Sequence, residues 1–342
     1  STASTTASRK QRAAHASDSA IAANMIGIRA GTGGTSGAGT GGAGGNVNID
    51  GLMGDITLGN IVAGGKLTVE SDFGQISRSS GTTISADEVL WVGELDSSFE
   101  LDSGDVTLIT RTPGDVVINY SGTDTLILRQ VYVLEGSLIV NTPGDLIVLD
   151  ARLLSTDAAF SVTLNAGGNV SLGYLEAGEF AATQAAANAI RSSRGVASGT
   201  PLTSVSAVTV NAGGWIRETG AGDNSVDLVA ADLILNAGTG IGKVDIAVNQ
   251  ILSATSTAGS ITLMDVDGVG EITPGLIVLH AAAPAGVSLS ALADMSAQRV
   301  LATGSGASIN LAAVGSLTLQ PATGAGALLT SGGAISLAAD TI

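Results

Sequence analysis

The 342-residue chain contains no cysteine, so no disulfide staples it and no thiol chemistry is open to it. Aromatic residues make up only 3% and charged residues 13%, against roughly 25% charged in an average domain. Histidine is almost absent: His15 and His280 stand far apart with no second imidazole or thiol nearby, which leaves a zinc site or a histidine-based triad little to work with. His280, after Leu-Ile-Val-Leu, reads as a residue at the edge of a coil. The lysines are Lys10, Lys66 and Lys243. Net charge is −16, the wrong sign for nucleic acid. Mean hydropathy is +0.41, yet no run of about 18 apolar residues occurs to make a transmembrane helix. The apolar content must go into a long core of small aliphatics.

What is present in quantity is glycine, 48 residues of it. One phrase recurs: glycine, a small polar residue, an aliphatic, any residue, an aliphatic. It occurs at Gly104-Asp105-Val106-Thr107-Leu108, Gly114-Asp115-Val116-Val117-Ile118, Gly136-Ser137-Leu138-Ile139-Val140, Gly144-Asp145-Leu146-Ile147-Val148 and Gly168-Asn169-Val170-Ser171-Leu172. Each is a turn opening a short strand, with the two aliphatics on one face. Glycine supplies positive φ at the corner and Asp or Asn tolerates the same geometry. Thr112-Pro113-Gly114-Asp115 returns as Thr142-Pro143-Gly144-Asp145, and Leu164-Asn165-Ala166-Gly167-Gly168 returns as Val210-Asn211-Ala212-Gly213-Gly214 and Leu235-Asn236-Ala237-Gly238. Repeats of this size mean stacked units. The expected fold is all-β: a right-handed parallel β-helix over residues 45–342, with about 25–30 residues per coil and about ten to twelve coils. Asn165, Asn211 and Asn236 then stack as an internal amide ladder.

Two segments depart from the pattern. In residues 1–30, Arg9, Lys10, Arg12 and Arg29 face Asp18 alone, and residues 31–45 are Gly-rich, so 1–44 reads as a basic arm and linker. Residues 176–200 are Ala-rich without alternation, an insertion that leaves the solenoid as a helix or loop and returns. No polar cap follows Ile342, so the expectation is a further coil, from a longer chain or from a second copy.

Reading residues as chemistry, the isolated Asp residues after glycine are turn residues. The exception is Asp265-Val266-Asp267-Gly268-Val269-Gly270-Glu271, where Asp265, Asp267 and Glu271 offer oxygens to calcium, without the spacing of an EF-hand loop. No cofactor motif is present. Trp91, Trp215 and Tyr174 read as core-corner residues ahead of a sugar-stacking platform.

The Gly-Asp-aliphatic strands, the Asn-Ala-Gly-Gly corners and the Cys-free, Lys-poor acidic composition resemble the repeat regions of giant secreted bacterial β-solenoids, the filamentous-haemagglutinin-like and autotransporter-like adhesins. The resemblance covers roughly residues 45–342. It implies a right-handed parallel β-helix, an extracellular or cell-surface place on a bacterial cell, and a stalk or adhesive role. The family's N-terminal secretion domain and C-terminal membrane barrel have no counterpart here. Three function classes follow. The first is a non-enzymatic structural and adhesive solenoid, a segment of a cell-surface fibre or a filament subunit, whose partners are its own kind or a surface glycan or protein. The second is a polysaccharide lyase or glycosidase on the same fold, disfavoured by dispersed carboxylates and scarce lysine. The third is a calcium-dependent extracellular module overlapping the first.

Overall fold

The computed structural model describes residues 28–29, 46–51, 56–59, 61–78, 81–82, 84–95, 98–102, 104–110, 113–154, 159–178, 206–220, 225–266, 275–320 and 329–342. Among them there is no helix; every element is a strand, and every strand pairing is parallel. The chain is a β-solenoid. One column of paired strands climbs through Val47–Gly51, Lys66–Arg78, Glu88–Leu95, Asp105–Thr110, Leu126–Val133, Leu146–Val148, Val170–Leu172, Trp215–Glu218, Gly240–Ser256, Ile261–Asp265, Val287–Ala291, Ile309–Ala313 and Ile335–Ala338. At about 4.8 Å per strand the column is roughly 60 Å tall.

Alternation builds the wall. In Ser161–Ala166 and in Ala207–Ala212 every second residue is buried, so Val162, Leu164, Val208 and Val210 point inward while Thr163, Asn165, Thr209 and Asn211 face out. In-register stacking then lays each aliphatic on its equivalent one coil away, and a single core runs from Val47 to Leu317. Parallel pairing is what makes the rows continuous: Leu138 lies beside Val162, Val162 beside Val208, and Val208 beside Leu233.

The coils are shorter than the sequence suggests. Equivalent residues lie 22, 24 and 25 apart along the ladder that joins Asn119, Asn141, Asn165, Asn211 and Asn236, with one step of 46. The reason lies in the repeated phrase. Val116–Tyr120 pairs with Leu138–Thr142, and Leu126–Val133 pairs with Leu146–Val148, so Gly114-Asp115 and Gly144-Asp145 open different faces of the coil. The partner of Gly114 is Gly136, whose extra Cβ would press on the Gly114 carbonyl. All faces start with the same turn chemistry, so two like phrases need not be one coil apart.

Those corner residues do more than tolerate a turn. Asp115 Oδ1 accepts the Ser137 N–H at 2.7 Å, Asp145 Oδ1 accepts Asn169 N–H at 2.7 Å, Asn169 Oδ1 accepts Trp215 N–H at 3.1 Å, and Asp294 Oδ1 accepts Ser316 N–H at 2.6 Å. Each side chain hydrogen-bonds a backbone donor of the next coil. At Gly144, Gly168 and Gly213 the glycine is set by closeness between coils: a Cβ on Gly144 would lie 2.7 Å from Asp124 O, and on Gly213 it would meet Gly167 O.

The cross-section changes along the column. Between Leu138 and Ala237 a coil has one face of five or six residues and two faces of three or four. Gly240–Ser256 ends that pattern as one 17-residue strand. Its first half pairs onward with the five-residue strand Ile261–Asp265, and its second half pairs with the two short strands Leu276–Val278 and Ala281–Ala283. Two short faces thus merge, and the long face splits.

The expected insertion is bounded by Leu175–Ala177 before it and Ala207–Ala212 after it, which continue the stack directly; Glu176 belongs to the wall and is buried, and residues 179–205 lie outside the described residues. So does most of the 1–44 arm, of which Ile28–Arg29 pairs in parallel with Ile61–Val62.

Candidate functional site

The amide ladder is present and faces outward, lining a surface groove. Asn141 Nδ2 donates to Asn119 Oδ1 at 2.7 Å, Asn165 to Asn141 at 2.8 Å, Asn211 to Asn165 at 2.8 Å and Asn236 to Asn211 at 2.8 Å; Thr255 Oγ1 closes the row by donating to Asn236 Oδ1 at 2.7 Å. The groove they line has a volume of about 570 Å³ and carries no charged side chain. Every amide orients the same way, so the bonds polarise one another. The ladder extends the expected trio by Asn119 and Asn141.

Beside the ladder's upper end the wall carries a second apolar cluster on its outside: Tyr174, Val226, Val229, Ala247 and Val266, with Met264 packed against it. Val244, Ile246 and Val248 belong to the main core, so the intervening Asp245 and Ala247 point away from it. Asp245 is nevertheless 0% exposed and Asp227 5%. They stand on successive coils: the Asp227 N–H donates to Asp245 O at 2.8 Å, and the Asp245 N–H donates to Asp227 Oδ2 at 3.0 Å. Glu218 completes a trio whose carboxylate oxygens lie within 4.8 Å of one another. Lys243 Nζ reaches Asp245 Oδ2 at 3.1 Å. Burial pulls the Lys243 ammonium's pKa down, but its hydrogen bond to Asp245 and the charges of Asp245, Glu218 and Asp227 outweigh that and hold it above the ordinary value. Asp245 Oδ1 is buried and has no hydrogen-bond partner among the described residues.

One coil lower, a second polar group packs against the same cluster. The Arg152 guanidinium holds Asp150 through two bonds of 2.7 and 3.0 Å and lies over the rings of Tyr132 and Tyr174, 5.4 and 4.8 Å from their centroids. Tyr132 Oη donates to Asp150 Oδ2 at 2.8 Å, and Tyr174 Oη donates to the buried Glu176 at 3.0 Å. Burial first, and then the charge and hydrogen bond of Glu176, push the Tyr174 hydroxyl far above the usual tyrosine range.

Of the residues picked out for calcium, Asp265 sits next to this region, paired with Ile246, but it alternates with Ile261 and Leu263 toward the core side and is 0% exposed. Asp267 and Glu271 lie outside the described residues. His280 is half-buried at the corner between Leu276–Val278 and Ala281–Ala283; burial and the charge of Arg299 lower its pKa. Trp91 is wholly inside the core, and Trp215 is half-buried with the Arg217 guanidinium 3.7 Å from its ring centroid. The acidic trio escaped sequence reasoning because Glu218, Asp227 and Asp245 stand singly. A signal existed: Val226-Asp227-Leu228 and Val244-Asp245-Ile246 are the same phrase, an acid followed by an inward aliphatic, on neighbouring coils.

No family model, no curated protein and no solved structure matches this chain.

Proposed function

We propose that the chain is a non-enzymatic, extracellular structural and adhesive solenoid of a bacterial cell surface, a segment of a fibre or a head-to-tail filament subunit of the filamentous-haemagglutinin-like kind. The observation that carries this reading is the unbroken column of coils around one core from Val47 to Leu317. Stacked coils act through length and rigidity, and each coil contacts only its neighbours. At the upper end Ile335 is 45% and Ile342 70% exposed. A coil of a second copy, or a further coil of the same polypeptide, stacks on this column by the same parallel pairing that joins its own coils. Joined copy to copy, the contact is head-to-tail and does not close, so it grows a filament. Partner molecules meet the outward faces, one of which carries the amide groove. Its lining is neutral on an acidic body, which suits an uncharged surface glycan or a protein.

The clustered carboxylates are the observation that favours the rival reading, a polysaccharide-active enzyme. Their placement supports the non-enzymatic reading, because Asp227 and Asp245 are buried, out of reach of a glycan chain. The test is light scattering and negative-stain microscopy of residues 1–342, with and without residues 1–44, beside an assay for polysaccharide cleavage. Rods that join end to end support a filament subunit. A monodisperse short rod leaves the fibre-segment reading, and turnover of any polysaccharide overturns the non-enzymatic one.

A further inference from the structure

We propose that Glu218, Asp227 and Asp245 form a binding site for a hard divalent cation of the calcium class, held on the outside of the wall where the cross-section changes. The donor set is oxygen only, which suits calcium and magnesium and not the softer metals. The oxygens lie no farther apart than 4.8 Å. Magnesium asks for a regular octahedron, whereas calcium takes about six to eight oxygens in a flexible geometry. Three carboxylates arriving from separate segments make an irregular cage, which calcium accepts more readily.

Charge and satisfaction point the same way. Lys243 pairs with Asp245 of the trio, and Asp227 and Asp245 have almost no contact with water. Buried charges persist when paired or when they coordinate a metal. Lys243 occupies Oδ2 of Asp245; the other oxygen, Oδ1, is wholly buried and receives no hydrogen bond from the described residues. An oxygen of that kind is what a cation uses. The Asp245 N–H bond to Asp227 Oδ2 fixes the two carboxylates relative to each other, so the site is preformed.

The experiment uses the whole chain, freed of metal with a chelator. Calcium chloride is titrated by calorimetry, and melting is followed in calcium, in magnesium and in chelator. The expected result is one binding event, a melting temperature that climbs with calcium concentration, and a smaller response to magnesium. Asp245→Asn should lose both the heat and the shift while melting no lower than the unaltered chain in chelator, because it removes a repelled charge. If the trio is only an ion-pair partner of Lys243, Asp245→Asn melts lower in chelator and calcium moves neither protein, which overturns the proposal. A further arm separates this trio from the neighbouring acidic segment. Calcium binding that survives Glu218→Gln but is lost in Glu271→Gln places the ion elsewhere and also overturns it.

Discussion

Asn211 donates its amide to Asn165 at 2.8 Å across 46 residues of chain, the same bond that Asn165 makes to Asn141 across 24. The two steps are one coil each. All the extra length between Asn165 and Asn211 therefore lies off the ladder, and residues 179–205 account for the excess.

Replacing residues 179–205 with a link as short as 154–160, which joins the equivalent faces one coil earlier, should leave the stack intact. Loop length costs little, about 0.6 kcal/mol per doubling. Chemical denaturation should give a midpoint nearly equal to that of the full chain. A large loss would mean that the segment packs on the wall and stabilises it.

Asn165→Ala removes one bond to Asn141 and one from Asn211. At about 0.5–1.5 kcal/mol net per bond the loss should be roughly 1–3 kcal/mol. Thr163→Ala, on the same outward face, should cost less than half of that. Equal losses in urea melts would show that the ladder adds nothing beyond ordinary surface contacts.

Val148→Asp or Leu172→Asp places a charge where exposure is 0%, and should cost several kcal/mol and break the row locally. Asp115→Asn should cost well under about 1 kcal/mol, because an amide oxygen accepts the Ser137 N–H as well as a carboxylate does; Asn169 already serves Trp215 in that way. Comparable melting losses for the two kinds of change would mean the inward and outward assignment is wrong.

Gly213→Ala and Gly81→Ala separate two reasons for glycine. A Cβ on Gly213 runs into Gly167 O of the coil below, so two coils must part. Gly81 has φ of +75° with open space around it, so its substitution costs only backbone strain of about 1–2 kcal/mol. Gly213→Ala should lower the melting temperature more; the reverse order would deny that coil spacing limits side-chain size at that corner.

The Tyr174 hydroxyl is held neutral in the folded chain, far above the ordinary value near 10. Its folded pKa is raised, so the stabilisation is complete below about pH 10 and is lost as pH rises further, when the unfolded chain ionises first. Tyr174→Phe should flatten the stability profile above pH 10. It should also cost about 1–3 kcal/mol at neutral pH by removing one hydrogen bond to the buried Glu176. An unchanged alkaline slope in the variant would place the titration elsewhere.

The wall was legible in the sequence and its corners were not. Alternation alone put Val162, Leu164, Val208 and Val210 inside, and the Asn-Ala-Gly phrase located three rungs of one ladder correctly. The coil length was misjudged because Gly114-Asp115 and Gly144-Asp145 look equivalent and yet serve different faces; only the pairing of Gly114 with Gly136 reveals it. The acidic trio was hidden for a related reason. Asp227 and Asp245 are separated in sequence by residues that travel all the way round the coil, and only the register brings their carboxylates together.

The long strand Gly240–Ser256 has a consequence for how such a chain can lengthen. Within residues 138–237, and again above Ser256, a coil duplicated in place meets neighbours of its own outline on both sides, so growth by copying is simple there. The faces above Ser256 again run as one of five residues and two of three, but the long face has moved round the axis to stand over two short ones. Gly240–Ser256 therefore turns the outline between two stretches of like gauge, and a row that climbs the long face from below, as the asparagine ladder does, ends on this strand at Thr255.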